Sequence, residues 1–239
     1  MIFFFKKIEP LKLKVDIHSH LLPGIDDGSK EMSESLEIIE KFLELGYEKL
    51  IITPHVMEDS YNNSTDIILE KYKKLQKAVN ENGMNIKLEV SAEYYVDEEF
   101  LKRLENNDLL PIGGKYILFE TSYYEKPLNL EFIIFQIQSK GYVPILAHPE
   151  RYRYIEDMKY YDLLKEKGVL FQCNINSFGN FYGKTAFKKA KYLAKNNMID
   201  FLGSDCHSMK YMDSLSKVLN ERSFIKLIEK NSIKNIELL

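Results

Sequence analysis

The strongest constraint on this chain is a repeated alternation of short apolar runs with segments of helical period. Strand-like runs occupy residues 11–15, 49–53, 86–92, 115–119, 142–147, 169–175 and 199–203. Helical patterns fall at residues 32–45, 64–82, 97–104, 129–139, 160–167 and 185–196, and two more at 212–220 and 224–230 close the chain. In the first, Leu36, Ile39, Phe42 and Leu43 recur at the spacing of one helix face, with Gly46 as a C-cap; Ser64 or Thr65 is placed to cap the second. Strands separated by helices pair in parallel, because each crossover returns the chain to the same end of the sheet. Seven such units in 239 residues predict an α/β fold, a closed or nearly closed TIM-like barrel in a single domain over residues 1–239, with residues 1–12 as an N-terminal extension. In such barrels the chemistry sits on loops at the strands' C-terminal ends.

All five histidines fall on that rim. His18 and His20 follow the first run, and side chains two apart on a strand share a face. His55, His148 and His207 each follow another run, as do Glu93, Glu120 and Asp205. One histidine in such a place is more often a satisfied core or surface residue. Five at one kind of position favour a metal site, and imidazoles with carboxylates and no thiolate suit manganese, iron or zinc. Pro23-Gly24 and Asp27-Gly28 mark a loop carrying two further acids, Asp26 and Asp27, and spacing alone does not choose between them.

Composition excludes other classes. The net charge of −3 argues against a nucleic-acid binder. The apolar start, Met1 to Phe5, is too short for a signal peptide or a stable membrane insertion. Two cysteines, Cys173 and Cys206, form no disulfide framework, and a cytoplasmic location fits best. Neither cysteine is a phosphatase nucleophile of the Cys-x5-Arg kind: six residues after them stand Gly179 and Met212.

His18-x-His20 with Asp27, Thr53-Pro54-His55, Glu93, Glu120, Ala147-His148-Pro149-Glu150-Arg151-Tyr152 and Gly203-Ser204-Asp205-x-His207 together resemble the PHP superfamily. They are most similar to its bacterial capsule-operon branch of metal-dependent protein-tyrosine phosphatases, over roughly residues 13–210. The resemblance implies a distorted (β/α)7 barrel of the PHP fold with three divalent metal ions, manganese first and iron or zinc as alternatives. His18, His20, Glu93 and Asp205 would hold the first. Glu93 would bridge to a second held also by Glu120 and His148. Asp27, His55 and His207 would hold the third, the resemblance favouring Asp27 over Asp26. Such a cluster acidifies water and neutralises phosphoryl oxygens, as phosphomonoester hydrolysis requires. Arg151 is expected to grip a phosphate oxygen, the plainer alternative being a rim ion pair with Glu150 or Glu120. A phenolate leaving group needs little protonation; Asp205 or His207 is the candidate general acid. Where the family carries a second phosphate-binding arginine, this chain offers only Lys210, a point charge without a fork. The implied partner is a phosphotyrosine protein, the C-terminal tail of a bacterial tyrosine kinase that controls polysaccharide export. Rival readings are a histidinol-phosphate phosphatase or other small-molecule phosphoesterase, a phosphodiesterase acting on nucleic acid, and, from another class, a non-catalytic metal-binding scaffold.

Overall fold

Every ladder between named strands is parallel, as the strand–helix alternation requires. The computed structural model describes residues 13–239. The N-terminal extension and the first two residues of the expected opening strand lie outside the described residues. Strand β1 is Val15–Asp16, followed by β2 (Lys49–Ile52), β3 (His55–Val56), β4 (Lys87–Val90) and β5 (Glu93–Tyr95). Then come β6 (Tyr116–Glu120), β7 (Val143–Ala147), β8 (Leu170–Asn174) and β9 (Phe201–Gly203). They form a three-stranded sheet, β1-β2-β4, and a six-stranded sheet, β3-β5-β6-β7-β8-β9.

Seven expected strands become nine because two of them break. The second breaks at Thr53-Pro54, where Pro54 has no N–H to donate, and the third at Ser91-Ala92. The broken strands stay joined, Ser91 N donating to Ile52 O (2.8 Å) and Glu93 N to Pro54 O (3.0 Å). His55 and Glu93 lie just past the ends of β2 and β4, as expected, but each also begins a further strand. They open β3 and β5, and they face each other in register.

The ring closes between β1 and β9. Above them Ser19 and Cys206 form a parallel bridge, His20 N donating to Cys206 O (2.9 Å) and Asp205 N to His18 O (2.8 Å). Across the same seam, Asp16 accepts from Ser204 N (2.7 Å) and Ser204 Oγ (2.8 Å). Lower down, the Asn235 side chain donates to Val15 O and Leu202 O and accepts from Leu202 N.

Two apolar layers result. Val15, Ile17, Ile51, Leu118, Ile145, Ala147 and Phe201 fill the interior. Their neighbours Leu50, Ile52, Ile117, Phe119, Leu146 and Leu202 face outward onto the helices. Strands buried on both faces read as continuous apolar runs. The outer helices are α1 (Met32–Glu44), α2 (Thr65–Glu81), α3 (Glu98–Asn106), α4 (Leu130–Ser139), α5 (Lys159–Glu166), α6 (Lys184–Lys195), α7 (Met209–Leu219) and α8 (Arg222–Ile228). Ser64 and Asp97 cap α2 and α3 by accepting from Ile67 N and Phe100 N. Three helices depart from expectation by two residues or more: α3 runs on to Asn106, α7 begins at Met209 rather than 212, taking Lys210 into its first turn, and α8 lies two residues earlier. Among the described residues no helix is long and apolar enough to cross a membrane.

Candidate metal centre

The nine side chains singled out in the sequence converge on one end of the barrel. Glu93 is at the centre and fully buried. Its Oε2 lies 3.1 Å from His18 Nε2, 3.1 Å from His55 Nδ1 and 3.4 Å from His20 Nε2, and its Oε1 lies 2.9 Å from His148 Nε2. Glu120 places Oε1 3.1 Å from His55 Nδ1 and Oε2 3.8 Å from His148 Nε2. Asp205 Oδ1 is 3.5 Å from each of His18, His20 and His207. Asp27 Oδ1 lies 3.5 Å from His55 Nε2 and 3.4 Å from His207 Nε2.

The donor atoms fall into four overlapping groups, each with mutual distances within 4.8 Å: His18-His20-Asp205, His18-Glu93-His148, His55-Glu93-Glu120 and His20-Asp27-His55-His207. The membership is that of the expected sets, but their borders differ. His20 sits with Asp27, His55 and His207 as well as with His18, and Glu120 is nearer His55 than His148.

These residues fit divalent cations. Glu93 Oε2 and His55 Nδ1, which face each other in the centre, are buried with no hydrogen-bond partner, an arrangement that is costly unless a cation is the partner. The electrostatics say the same. Burial disfavours a charged His18, yet the Glu93 and Asp205 carboxylates outweigh it and raise its pKa to about 9. Burial likewise works against ionised Glu93 and Asp205, and the surrounding imidazoles hold both well below the usual carboxylate range. The carboxylates attract whatever positive charge is offered.

A second layer fixes these groups. Asp26 and Asp27 divide the work that spacing left open. Asp26 Oδ2 accepts from His20 Nδ1 (2.9 Å) and from His55 N (3.1 Å), while Asp27 points its carboxylate among the imidazoles. His18 Nδ1 meets Gln172 Oε1 (2.8 Å), Gln172 Nε2 donates to Asn174 Oδ1 (2.9 Å), and Asn174 Nδ2 donates to Asp205 Oδ2 (2.6 Å). Asp205 thus turns one oxygen to the histidines and the other to a row of donors, as ligating carboxylates do. His148 and Asp205 both have a left-handed backbone, φ 33° and 50°, and non-glycine residues strained in this way cluster at functional sites. Gly203 is required for a different reason: a Cβ there would stand 2.6 Å from Gln172 Nε2 and 2.8 Å from His18 Cβ.

The centre opens into a cleft of about 590 Å³. Arg151 lines it, and the alternative ion pair with Glu150 or Glu120 does not form. Its Nη1 donates to Asp205 Oδ2 (2.8 Å), and its guanidinium lies between Tyr123 and Tyr182, 4.6 and 4.3 Å from their ring centroids. Glu150 turns away to accept from Asn174 N and Ser177 Oγ. Among the described residues Arg151 Nε and Nη2 have no protein acceptor, so one edge of the fork remains for a ligand. Lys210 does not line the cleft; its Nζ lies over Phe181, and the neighbouring Tyr211 stacks on His207 instead. Both cysteines are buried, Cys206 behind the rim and Cys173 in β8.

Asp16, Gln172, Asn174 and Tyr182 were not singled out in the sequence. A signal existed for two of them. Gln172 and Asn174 alternate with Phe171 and Cys173 in a strand that is otherwise apolar, which marks an inward-facing polar pair.

Comparison with known proteins agrees with this geometry. The model of the family "Capsular polysaccharide synthesis, CpsB/CapC" matches residues 14–235. The tyrosine-protein phosphatase YwqE of Bacillus subtilis is 31% identical over 200 residues, covering 82% of this chain and 78% of that protein. The tyrosine-protein phosphatase CpsB of Streptococcus agalactiae serotype V is 26% identical over 204 residues, covering 82% and 83%. A chain from the crystal structures of YwqE from Bacillus subtilis and CpsB from Streptococcus pneumoniae, described as unique metal-dependent tyrosine phosphatases, superposes with a TM-score of 0.83. It is 28% identical, with 94% of each chain covered.

Proposed function

The chain belongs to the capsular polysaccharide synthesis CpsB/CapC family and is a metal-dependent tyrosine phosphatase, and we propose that its nine convergent side chains hold three divalent cations, manganese in the first instance. The observation that carries this reading is Glu93. It is a fully buried carboxylate with both oxygens ringed by imidazoles, one of them without a hydrogen-bond partner.

When bound, the cations supply an acidified water and neutralise phosphoryl oxygens. The rest falls to this chain's own groups. His18, His20, Glu93 and Asp205 form one binding set, Glu93, Glu120 and His148 a second, and Asp27, His55 and His207 a third, with Glu93 shared. Arg151 presents its free edge to the phosphate, kept in place by Asp205 and by the two tyrosines that sandwich it. His207, whose Nδ1 lies 2.9 Å from Asp205 O, keeps its Nε2 turned to Asp27 in the third set, so it is a ligand rather than a general acid, and a phenolate leaving group demands little protonation. The substrate is phosphotyrosine on the tail of a bacterial tyrosine kinase, met in the cytoplasm, and the described residues, 13–239, act as one domain.

The test is turnover of a phosphotyrosine peptide and of histidinol phosphate, side by side, after metal removal and manganese add-back. Restored turnover of the peptide alone supports the proposal. Preference for histidinol phosphate overturns the substrate and keeps the centre. No restoration by manganese, iron or zinc overturns the centre.

A further inference from the structure

A second groove adjoins the cleft, and we propose that it reads an acidic side chain flanking the phosphotyrosine in the substrate peptide; the inference rests on the phosphatase reading above. The groove has a volume of about 850 Å³ and shares Tyr123, Tyr124 and Arg151 with the cleft. Its charged lining beyond Arg151 is Arg153, Lys184 and Lys189, against one acid, Glu156. On a chain of net charge −3 this is a local reversal of sign. The cleft wall away from the groove carries Glu58, Asp59 and Asp97, which would repel an acidic flank.

Two of the cations are free to act. Arg153 is exposed, its guanidinium 5.0 Å from the Tyr124 ring centroid, and Lys184 is exposed in the first turn of α6. Neither forms an ion pair among the described residues. Lys189 lies beneath them, only 4% exposed, its Nζ donating to Tyr152 O (2.5 Å). Helix α6 opens at Gly183 with no side-chain cap and no acid in its first turn, so its positive dipole end adds to the same face. With phosphate at Arg151, an extended peptide advances about 3.3 Å per residue. Residues one to three positions away thus run about 3–10 Å from the phosphate, along the groove that Tyr124, Arg153 and Lys184 line together with Arg151. An acidic side chain finds complementary charge there, and an amide does not.

The experiment compares two phosphotyrosine peptides that differ only in flanking Asp and Glu against Asn and Gln, with para-nitrophenyl phosphate as a substrate that has no flanks. The manganese-loaded enzyme should favour the acidic peptide by about fivefold in kcat/KM, chiefly through KM, the size two exposed ion pairs produce. The Arg153→Gln/Lys184→Gln variant should lose that preference and turn over para-nitrophenyl phosphate as before. Equal kcat/KM for the two peptides, or a preference surviving in the variant, overturns the groove's role. Failure of the unaltered enzyme on para-nitrophenyl phosphate overturns the phosphatase reading instead, and the inference with it.

Discussion

Replacing Asn174 by Ala tests whether the second layer sets the metal centre, because Asn174 touches the candidate ligands without being one. Its Nδ2 donates to Asp205 Oδ2 at 2.6 Å, and its Oδ1 accepts from the buried Gln172 Nε2 at 2.9 Å. Truncation removes a hydrogen bond to a charged group, about 1.5–3 kcal/mol, and leaves the Gln172 amide buried without an acceptor, about 1–3 kcal/mol. The two share one side chain and do not simply add, so a loss of about 3 kcal/mol is expected in the metal-free protein, read by urea unfolding with chelator present. Asp205 then keeps Arg151 and Tyr182 but loses the donor that ties it to Gln172 and, through Gln172, to His18. Outer partners of this kind typically tune metal affinity by about 10–100-fold. Manganese titration by calorimetry should show a fall in that range, with kcat falling alongside even at saturating metal. Wild-type affinity and turnover in Asn174→Ala would refute the idea that this row of amides positions Asp205.

Asp205→Ala and His148→Ala should each abolish turnover and lower bound metal, measured by elemental analysis, while circular dichroism stays native; near-wild-type turnover in either would remove that residue from the centre. Arg151→Ala should raise KM for a phosphopeptide by about tenfold or more, the loss of a charge-assisted pair, with metal content retained. Unchanged kinetics would reduce Arg151 to its contact with Asp205. The metal-free protein should also weaken towards alkali. The folded His18 pKa is raised to about 9 from 6.5, so its contribution is complete below 6.5 and disappears as pH rises through 9. That is roughly 3 kcal/mol, and flat stability between pH 6 and 10 in chelator would contradict it. In acid the depressed Glu93 and Asp205 act in the opposite sense, stabilising above the ordinary carboxylate range and losing that effect as pH falls.

What the sequence disclosed and what it withheld divide along a physical line. The alternation of apolar runs and helical faces carried the parallel barrel, and histidines at one kind of position carried the end where the site lies. Both are local patterns. The resumption of the strands beyond Thr53-Pro54 and Ser91-Ala92 was not legible, because β3 (His55–Val56) and β5 (Glu93–Tyr95) are too short and too polar to read as strands and show only in what they pair with. Arg151 was expected to grip phosphate, with an ion pair to Glu150 or Glu120 as the plainer alternative; its protein partner is instead Asp205, 54 residues away in sequence and beyond the reach of local pattern. Asp26 and Asp27 could not be told apart by spacing, because they differ only in which way the loop turns them. Lys210, the cation that follows the Asp205-x-His207 motif in sequence, falls in the first turn of α7 and lies over Phe181, outside the cleft.

The seam between β1 and β9 joins Asp16 to Ser204, groups 188 residues apart. Asp205 and His207 lie just beyond it, so the centre holds donors from both ends of the chain. A growing polypeptide that has not yet emitted its last strand owns His18, His20 and Glu93 but cannot surround them. The full donor set is therefore assembled only when this seam shuts, a closure of high loop entropy that the apolar core and the Asp16–Ser204 and Asn235 hydrogen bonds must together offset.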